Sequence, residues 1–152
     1  MKQSGICKKG ELSLDDILRS LRDIPNFGEV GAVGIFIGVV RRKSLDGQEV
    51  TKLEVDAYEE KANQSLSRIS SDLSKKKGII DVRIFHNLGE FEPSEDLVYA
   101  VVSGAHRNEV FEVLEEAVER YKHESPLFKK EHLMDKTTGK ATERWVEENA
   151  LE

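Results

Sequence analysis

The sequence predicts an α+β fold built on an antiparallel sheet. Three observations carry this: helical and strand-like segments alternate in the order α-β-β-α-β-β-α-β-β, the connections between them are short, and turn signals separate paired strands. A parallel sheet would need a long crossover between each pair of strands, and the spacing leaves no room for that. The chain has 152 residues, of which 38% are hydrophobic and 34% charged. That is enough for one core, and the charge excess over the usual ~25% is of mixed sign.

Residues 1–11 read as a loose lead-in, and 12–152 as a single domain. Ser13 and Asp16 are spaced as a capping box opening a helix that runs to 24, with Ile17, Leu18 and Leu21 on one face and Pro25 as its stop. Residues 31–40 (GAVGIFIGVV) are β-rich and too short for most helices, so they read as a buried strand whose Gly34 and Gly38 mark bulges or close backbone approach. A basic loop with an Asp46-Gly47 turn follows. Thr51, Leu53, Val55 and Ala57 then alternate as a half-buried strand.

Ala62, Leu66, Ile69 and Leu73 recur at helical spacing across 60–77, and Gly78 stands where a C-terminal cap belongs. Ile80, Val82, Ile84 and Leu88 alternate again, and 97–105 forms a strongly apolar strand. A second long helix over 108–124 places Phe111, Leu114, Val118 and Tyr121 on its core stripe, and Ser125-Pro126 ends it. The stretches LFKKEHLM and ATERWV, joined by DKTTGK, read as a closing hairpin. With the hairpin at 42–50 they are expected to form a small additional β layer. Trp145 reads as a packing anchor.

Composition excludes several functions. Twenty-three basic against 29 acidic residues give a net charge of −6, which argues against an extended nucleic-acid surface. The start of the chain lacks an apolar signal core, and the longest apolar run has ten residues with three glycines, too short for a bilayer. A soluble cytoplasmic protein without membrane contact is expected. The single cysteine, Cys7, forms no internal disulfide and reads as an incidental thiol in a polar tail. P-loop, GxGxxG, HExxH and CxxC patterns are missing. His86, His106, His123 and His132 make no recognisable ligand cluster, so neither a metal nor a cofactor is expected. Glu90, Glu92, Glu95 and Asp96 read as a solvated acidic turn.

The basic groups are unevenly placed. Arg41, Arg42 and Lys43 follow the glycine-rich strand. His106 and Arg107 stand at a helix start, where free N–H groups and the dipole favour an anion. Lys122, Lys129 and Lys130 flank the Ser-Pro break. Three basic clusters at element ends of an acidic protein point to a pocket for an anionic ligand, and sequence physics alone stops there.

Four segments go further. GAVGIFIGVVR (31–41), SGAHR (103–107), YKHESPLFKKE (121–131) and ERWVE (143–147) together resemble the MoaE family, the large subunit of molybdopterin synthase, over residues 12–148. The resemblance implies an α/β hammerhead fold and a dimer of large subunits. A small ubiquitin-like sulfur carrier (MoaD-like) caps each end, giving a heterotetramer. The implied reaction inserts two sulfurs into cyclic pyranopterin monophosphate, making the dithiolene of molybdopterin. By position, Lys122 and Lys129 match the family's active-site lysines. Arg41, His106 and Arg107 match its substrate-contacting residues, and Phe36 matches a pocket aromatic. Arg42 and Lys130 are secondary candidates. Two departures stand out: Leu127-Phe128 where an aromatic pair or Ile-Trp is common, and Arg42-Lys43 where Asn-His is. A non-catalytic adaptor for a ubiquitin-like tail or another anionic partner is the alternative reading.

The implied chemistry suits these residue types. Sulfur arrives as a thiocarboxylate on the carrier, so the chain need not supply a nucleophile. Preorganised cations in a dry site best meet the negative charge that develops. Helix geometry adds an expectation of its own: His106 and Lys122 are sixteen residues apart, so roughly 24 Å separates them along a continuous helix. A pterin phosphate is much shorter, so a two-fold dimer sharing its sites is expected.

Overall fold

The computed structural model describes residues 2–146, and its frame is one long strand. This strand, β4 (Ile79–Phe91), pairs with β5 (Asp96–Gly104) over its first part and with β3 (Glu49–Ala57) over residues 89–91. β2 (Ala32–Val39) flanks β5, while β6 (Leu127–Met134) and β7 (Ala141–Val146) continue from β3. The strand order is β2-β5-β4-β3-β6-β7, every neighbour antiparallel. The C-terminal strands β6 and β7 do form an extra β layer, but with β3 rather than the hairpin at 42–50, and it joins the main sheet through β4. The expected hairpin at 42–50 shrinks to one bridge between Lys43 and Glu49.

Among the described residues three α-helices cover this sheet. On one face, α2 (Glu59–Ser74) buries Ala62, Leu66, Ile69 and Leu73, the four residues its periodicity selects. Beside it α3 (Arg107–Glu124) packs on β2 and β5. On the other face α1 (Leu14–Leu21) lays Ile17 and Leu21 over Phe85, Tyr99 and Val101. The capping box forms as spaced: the Asp16 amide donates to Ser13 Oγ, and the Ser13 amide donates to the Asp16 carboxylate. Gly78 takes φ +82° between α2 and β4, a conformation few other residues adopt. No helix among the described residues is long and apolar enough to cross a membrane.

Five expectations need correction. The lead-in is not loose: β1 (Gly5–Lys8) pairs with β4 in the one parallel pairing of the sheet, and Ile6 and Cys7 are buried. Local sequence gives no sign of this, because the partner lies eighty residues on. The core stripe of α3 is Val110, Val113, Ala117 and Tyr121, with Leu114 and Val118 half-buried, while Phe111 is 63% exposed. A run starting at Val110 fits the same 3.6-residue period, so the stripe is rotated by one residue. β2 is an edge strand rather than a buried one, and Val33, Ile35, Ile37 and Val39 stay exposed on one face. In β3 the register shifts between Val50 and Lys52, so Val50, Leu53 and Val55 point inward and Thr51 is exposed. Trp145 is exposed rather than packed in the core, with the Lys130 ammonium over its ring. Residues 147–152 of the expected domain, including Glu147 of the last motif, lie outside the described residues.

Candidate functional site

Strand alternation builds the site. In β6 the odd-numbered residues from Leu127 to Leu133 point inward and the even-numbered ones outward. Lys129 and Glu131 therefore share the inner face and are nearly buried, at 7% and 9% exposure. Lys129 sits across from Val55 on β3 and Val146 on β7. The end of β2 delivers Val39 and Val40, then Arg41. A cavity of about 90 Å³ opens between these elements. Arg41, Lys43, Lys129 and Glu131 line it above an apolar floor that includes Val40, Val50, Leu53 and Leu97. Three cations over hydrocarbon can hold an anion with little competing water.

A polar chain backs Glu131. Arg144 Nε donates to it at 3.2 Å, and the same guanidinium grips Asp46 in the loop between β2 and β3. Those Arg144 bonds, followed by one from the Ser44 hydroxyl, hold the Asp46 carboxyl well below the usual carboxylate range. His86 is fully buried on β4 and set edge-on to Tyr121 at 5.9 Å between ring centres. Burial first, and the charge of Lys129 second, push its pKa down to about 3.

Of the sequence candidates, the cavity unites Arg41 and Lys129. Lys122 is half-buried in the last turn of α3. His106 and Arg107 are at that helix's opposite end, in an open groove shared with Gly31, Ala105 and Glu109. Since α3 runs unbroken from Arg107 to Glu124, the separation of roughly 24 Å between His106 and Lys122 holds. Phe36 is half-buried on β2 and packs against the core, outside the cavity lining. Arg42 opens onto a second groove beside Gly47, Met134 and Lys136. Lys130 points to the outer face of β6, 3.2 Å from Glu143 and 5.4 Å from the centre of the Trp145 ring.

Glu131, Arg144 and His86 escaped the sequence reading. Glu131 was within reach, because a residue two past Lys129 on a strand faces the same way. His86 and Arg144 depend on tertiary pairing and leave no local signal. No group of three or more histidine, cysteine, aspartate or glutamate residues able to hold a metal occurs among the described residues.

Comparison with known proteins bears on this arrangement. The family model described as "MoaE protein" matches residues 7–124. The chain is 38% identical over 101 residues to the molybdopterin synthase catalytic subunit of Pyrococcus abyssi, covering 66% of this chain and 68% of that one. It is 32% identical over 125 residues to a probable molybdopterin synthase of Haloferax volcanii, with 82% of this chain but 48% of that protein covered. The match thus spans about half the length of the Haloferax relative. Among solved structures, molybdopterin synthase from Staphylococcus aureus superposes with a TM-score of 0.80 at 28% identity, over 96% of this chain and 98% of that one. That superposition extends beyond residue 124, where the family match ends. A family match across most of the chain, relatives above 30% identity and a shared fold together establish that the chain belongs to the MoaE family, the catalytic subunits of molybdopterin synthase.

Proposed function

We propose that this chain transfers two sulfurs from a thiocarboxylated ubiquitin-like carrier to cyclic pyranopterin monophosphate, and that the Arg41–Lys129 cavity is where the transfer occurs. The carrying observation is the convergence of Arg41, Lys43 and Lys129 on one apolar-floored cavity in a chain of this family. Arginine offers a forked clamp for the substrate phosphate, and lysine a compact charge for the anion that develops as sulfur adds. Cys7 supports an external sulfur source. The chain's one cysteine is 4% exposed on β1, and burial pushes its thiol up, away from the reactive thiolate. Lys122 meets the carboxyl end of the carrier, a small MoaD-like partner.

The site is completed by a second copy of the chain. β2 is one of the two edge strands at the ends of the sheet order among the described residues, and the side chains it exposes are apolar. Its start lies by the His106–Arg107 groove, and its end by the cavity. Eight residues at about 3.3 Å each span nearly the distance that separates the two halves of the site. Antiparallel pairing of two β2 edges about a two-fold axis cancels that distance, so His106 and Arg107 of one copy face Arg41 and Lys129 of the other.

The test is conversion of the pterin precursor to dithiolene with thiocarboxylated carrier. Lys129→Ala and Lys122→Ala are each expected to lose ~100-fold or more while remaining folded. Trimming the last two glycines of the carrier should abolish product. Near-wild-type turnover in both lysine variants overturns the assignment.

A further inference from the structure

The β2–β5 ladder ends at Val39, opposite Asp96. Val40 lies past that end, yet both of its backbone groups are held. Its amide donates to the Glu95 carbonyl oxygen at 3.0 Å, and its own carbonyl accepts from the Ser94 amide at 2.8 Å. Arg41 follows directly and lines the cavity with Lys129. On its other side the Arg42 carbonyl accepts from the Val50 amide at 2.7 Å. The backbone root of Arg41 is thus clamped between the β4–β5 turn and β3.

The turn is itself kept in an unfavoured shape. Ser94 takes φ +80°, the one left-handed residue other than glycine among the described residues. Such a conformation persists only where its surroundings enforce it. Here the enforcing group is the Glu95 carboxylate. The Glu92 amide donates to its Oε1 at 2.8 Å, closing the turn, and Lys9 Nζ reaches both oxygens, at 2.9 and 2.7 Å. The same ammonium donates to the Glu90 carbonyl oxygen at 2.9 Å and lies over the Phe91 ring. Lys9 is placed by β1, its own amide donating to the Leu88 carbonyl oxygen at 2.9 Å. The Lys9 hydrogen bond first, and the Glu92 amide second, hold the Glu95 carboxyl below its ordinary range. A turn that reads as solvated in the sequence therefore carries one carboxylate with an internal task.

We propose that Glu95 is a positioning residue for Arg41: its carboxylate, tied to Lys9, fixes the β4–β5 turn that holds Val40 and so aims the guanidinium into the cavity. Without the tie, Ser94 relaxes toward an ordinary φ and its amide turns away from the Val40 carbonyl. A displacement of about 1 Å at a forked phosphate clamp is enough to weaken it. The sign of the effect separates lost aim from lost charge. Removing a negative charge near a cationic cavity would by itself strengthen anion binding, whereas a misdirected clamp weakens it.

This inference rests on the sulfur-transfer reading, and the experiment separates the two. Wild type, Glu95→Ala, Glu95→Gln, Glu92→Ala, Arg41→Ala and the double variant Glu95→Ala/Arg41→Ala are assayed for precursor conversion with thiocarboxylated carrier. In parallel, exchange of the Val40 amide is followed by NMR. Glu95→Ala is expected to raise KM for the precursor ~3- to 10-fold, while kcat and KM for the carrier move less than about two-fold. Its Val40 amide should exchange roughly ten-fold faster than in wild type. Glu95→Gln, which keeps an acceptor for the Glu92 amide and Lys9, should recover most of that loss. Glu92→Ala removes an equal charge from the same turn and should leave KM unmoved. On the Arg41→Ala background Glu95→Ala should have no further effect, which a merely structural role would not produce. An unchanged precursor KM in Glu95→Ala, or a loss that adds fully to that of Arg41→Ala, overturns the positioning role. If Glu95→Ala does not fold, Lys9→Met decides by the same readings: a raised precursor KM supports the tie, and an unmoved one refutes it. A wild-type protein that fails to convert the precursor defeats the activity itself. Val40 exchange that is equal in wild type and Glu95→Ala defeats the positioning role whatever the activity.

Discussion

Arg144 holds Asp46 through two nitrogens, Nη2 at 2.7 Å from Oδ1 and Nη1 at 3.0 Å from Oδ2, while its Nε reaches Glu131 at the cavity wall. One guanidinium therefore ties β7 to the loop between β2 and β3 and to the site. Because the folded Asp46 carboxyl is held well below its ordinary range, its pairing persists through neutral and mildly acid pH. It is lost only as pH falls through that depressed folded value. A carboxyl-detected NMR titration should find Asp46 below the range of an unfolded aspartate, and Arg144→Gln should move it upward. An unmoved midpoint would falsify the pairing.

His86 predicts an acid-side effect on stability. Folded, it stays neutral down to about pH 3. Unfolded, its imidazole titrates near 6.5. Between those values the unfolded chain binds a proton that the folded one refuses, so stability falls as pH drops, by up to about 1.4 kcal/mol per pH unit. His86→Phe removes the titrating group from both states. Urea midpoints at pH 7 and pH 4.5 should therefore converge in the variant relative to wild type, whereas parallel losses would mean that His86 does not titrate on unfolding.

Gly34 is a point of close approach between β2 and α3. A Cβ there would stand 2.8 Å from Val110 Cγ1 and 3.3 Å from Leu114 Cδ2. Val110 is β-branched in a helix, so it has no second rotamer to retreat into. Gly34→Ala should cost about 1–3 kcal/mol, read from the shift in denaturant midpoint. Gly47→Ala meets no neighbouring atom, and its φ of +83° alone should cost about 1 kcal/mol. Equal losses at the two positions would show that α3 yields where it is expected to resist.

The shared site predicts complementation. Lys122→Ala and the double variant His106→Ala/Arg107→Ala are each expected to be inactive. Mixed and allowed to exchange subunits, they form heterodimers in which one of two sites has all its groups. Random mixing should therefore return roughly a quarter of wild-type activity. A mixture shown to exchange subunits that stays inactive would place the whole site within one chain.

The parts of this molecule that were legible in the sequence are those decided locally. The Ser13–Asp16 box, the Ala62–Leu73 stripe and the closing β6–β7 hairpin depend on residues close in the chain, and all three form as read. What escaped depends on pairing across the chain. Ile35 and Ile37 have the composition of a buried strand, and only the strand order reveals that one face of β2 has nothing over it. Phe111 is the largest apolar residue near its helix start, yet the smaller Val110 is the one turned to the core. The cavity was legible in part: Arg41 and Lys129 carried a sequence signal, and the β6–β7 hairpin was read too, but not the register that sets Arg144 opposite Glu131.

The parallel pairing of β1 bears on the order in which this chain assembles. Gly5 finds its register partner, Phe85, eighty residues downstream, whereas β4 and β5 meet through a tight turn. During synthesis Ile6 and Cys7 leave the ribosome well before β4 and have no strand to join until it follows. Loop closure over so long a span forms late, after local hairpins and helices have collapsed. β1 is thus made well ahead of its partner and is among the last elements to dock. In that interval its apolar residues stay open to chaperones, and a bulky tag fused at this end would slow the closing step more than one fused elsewhere.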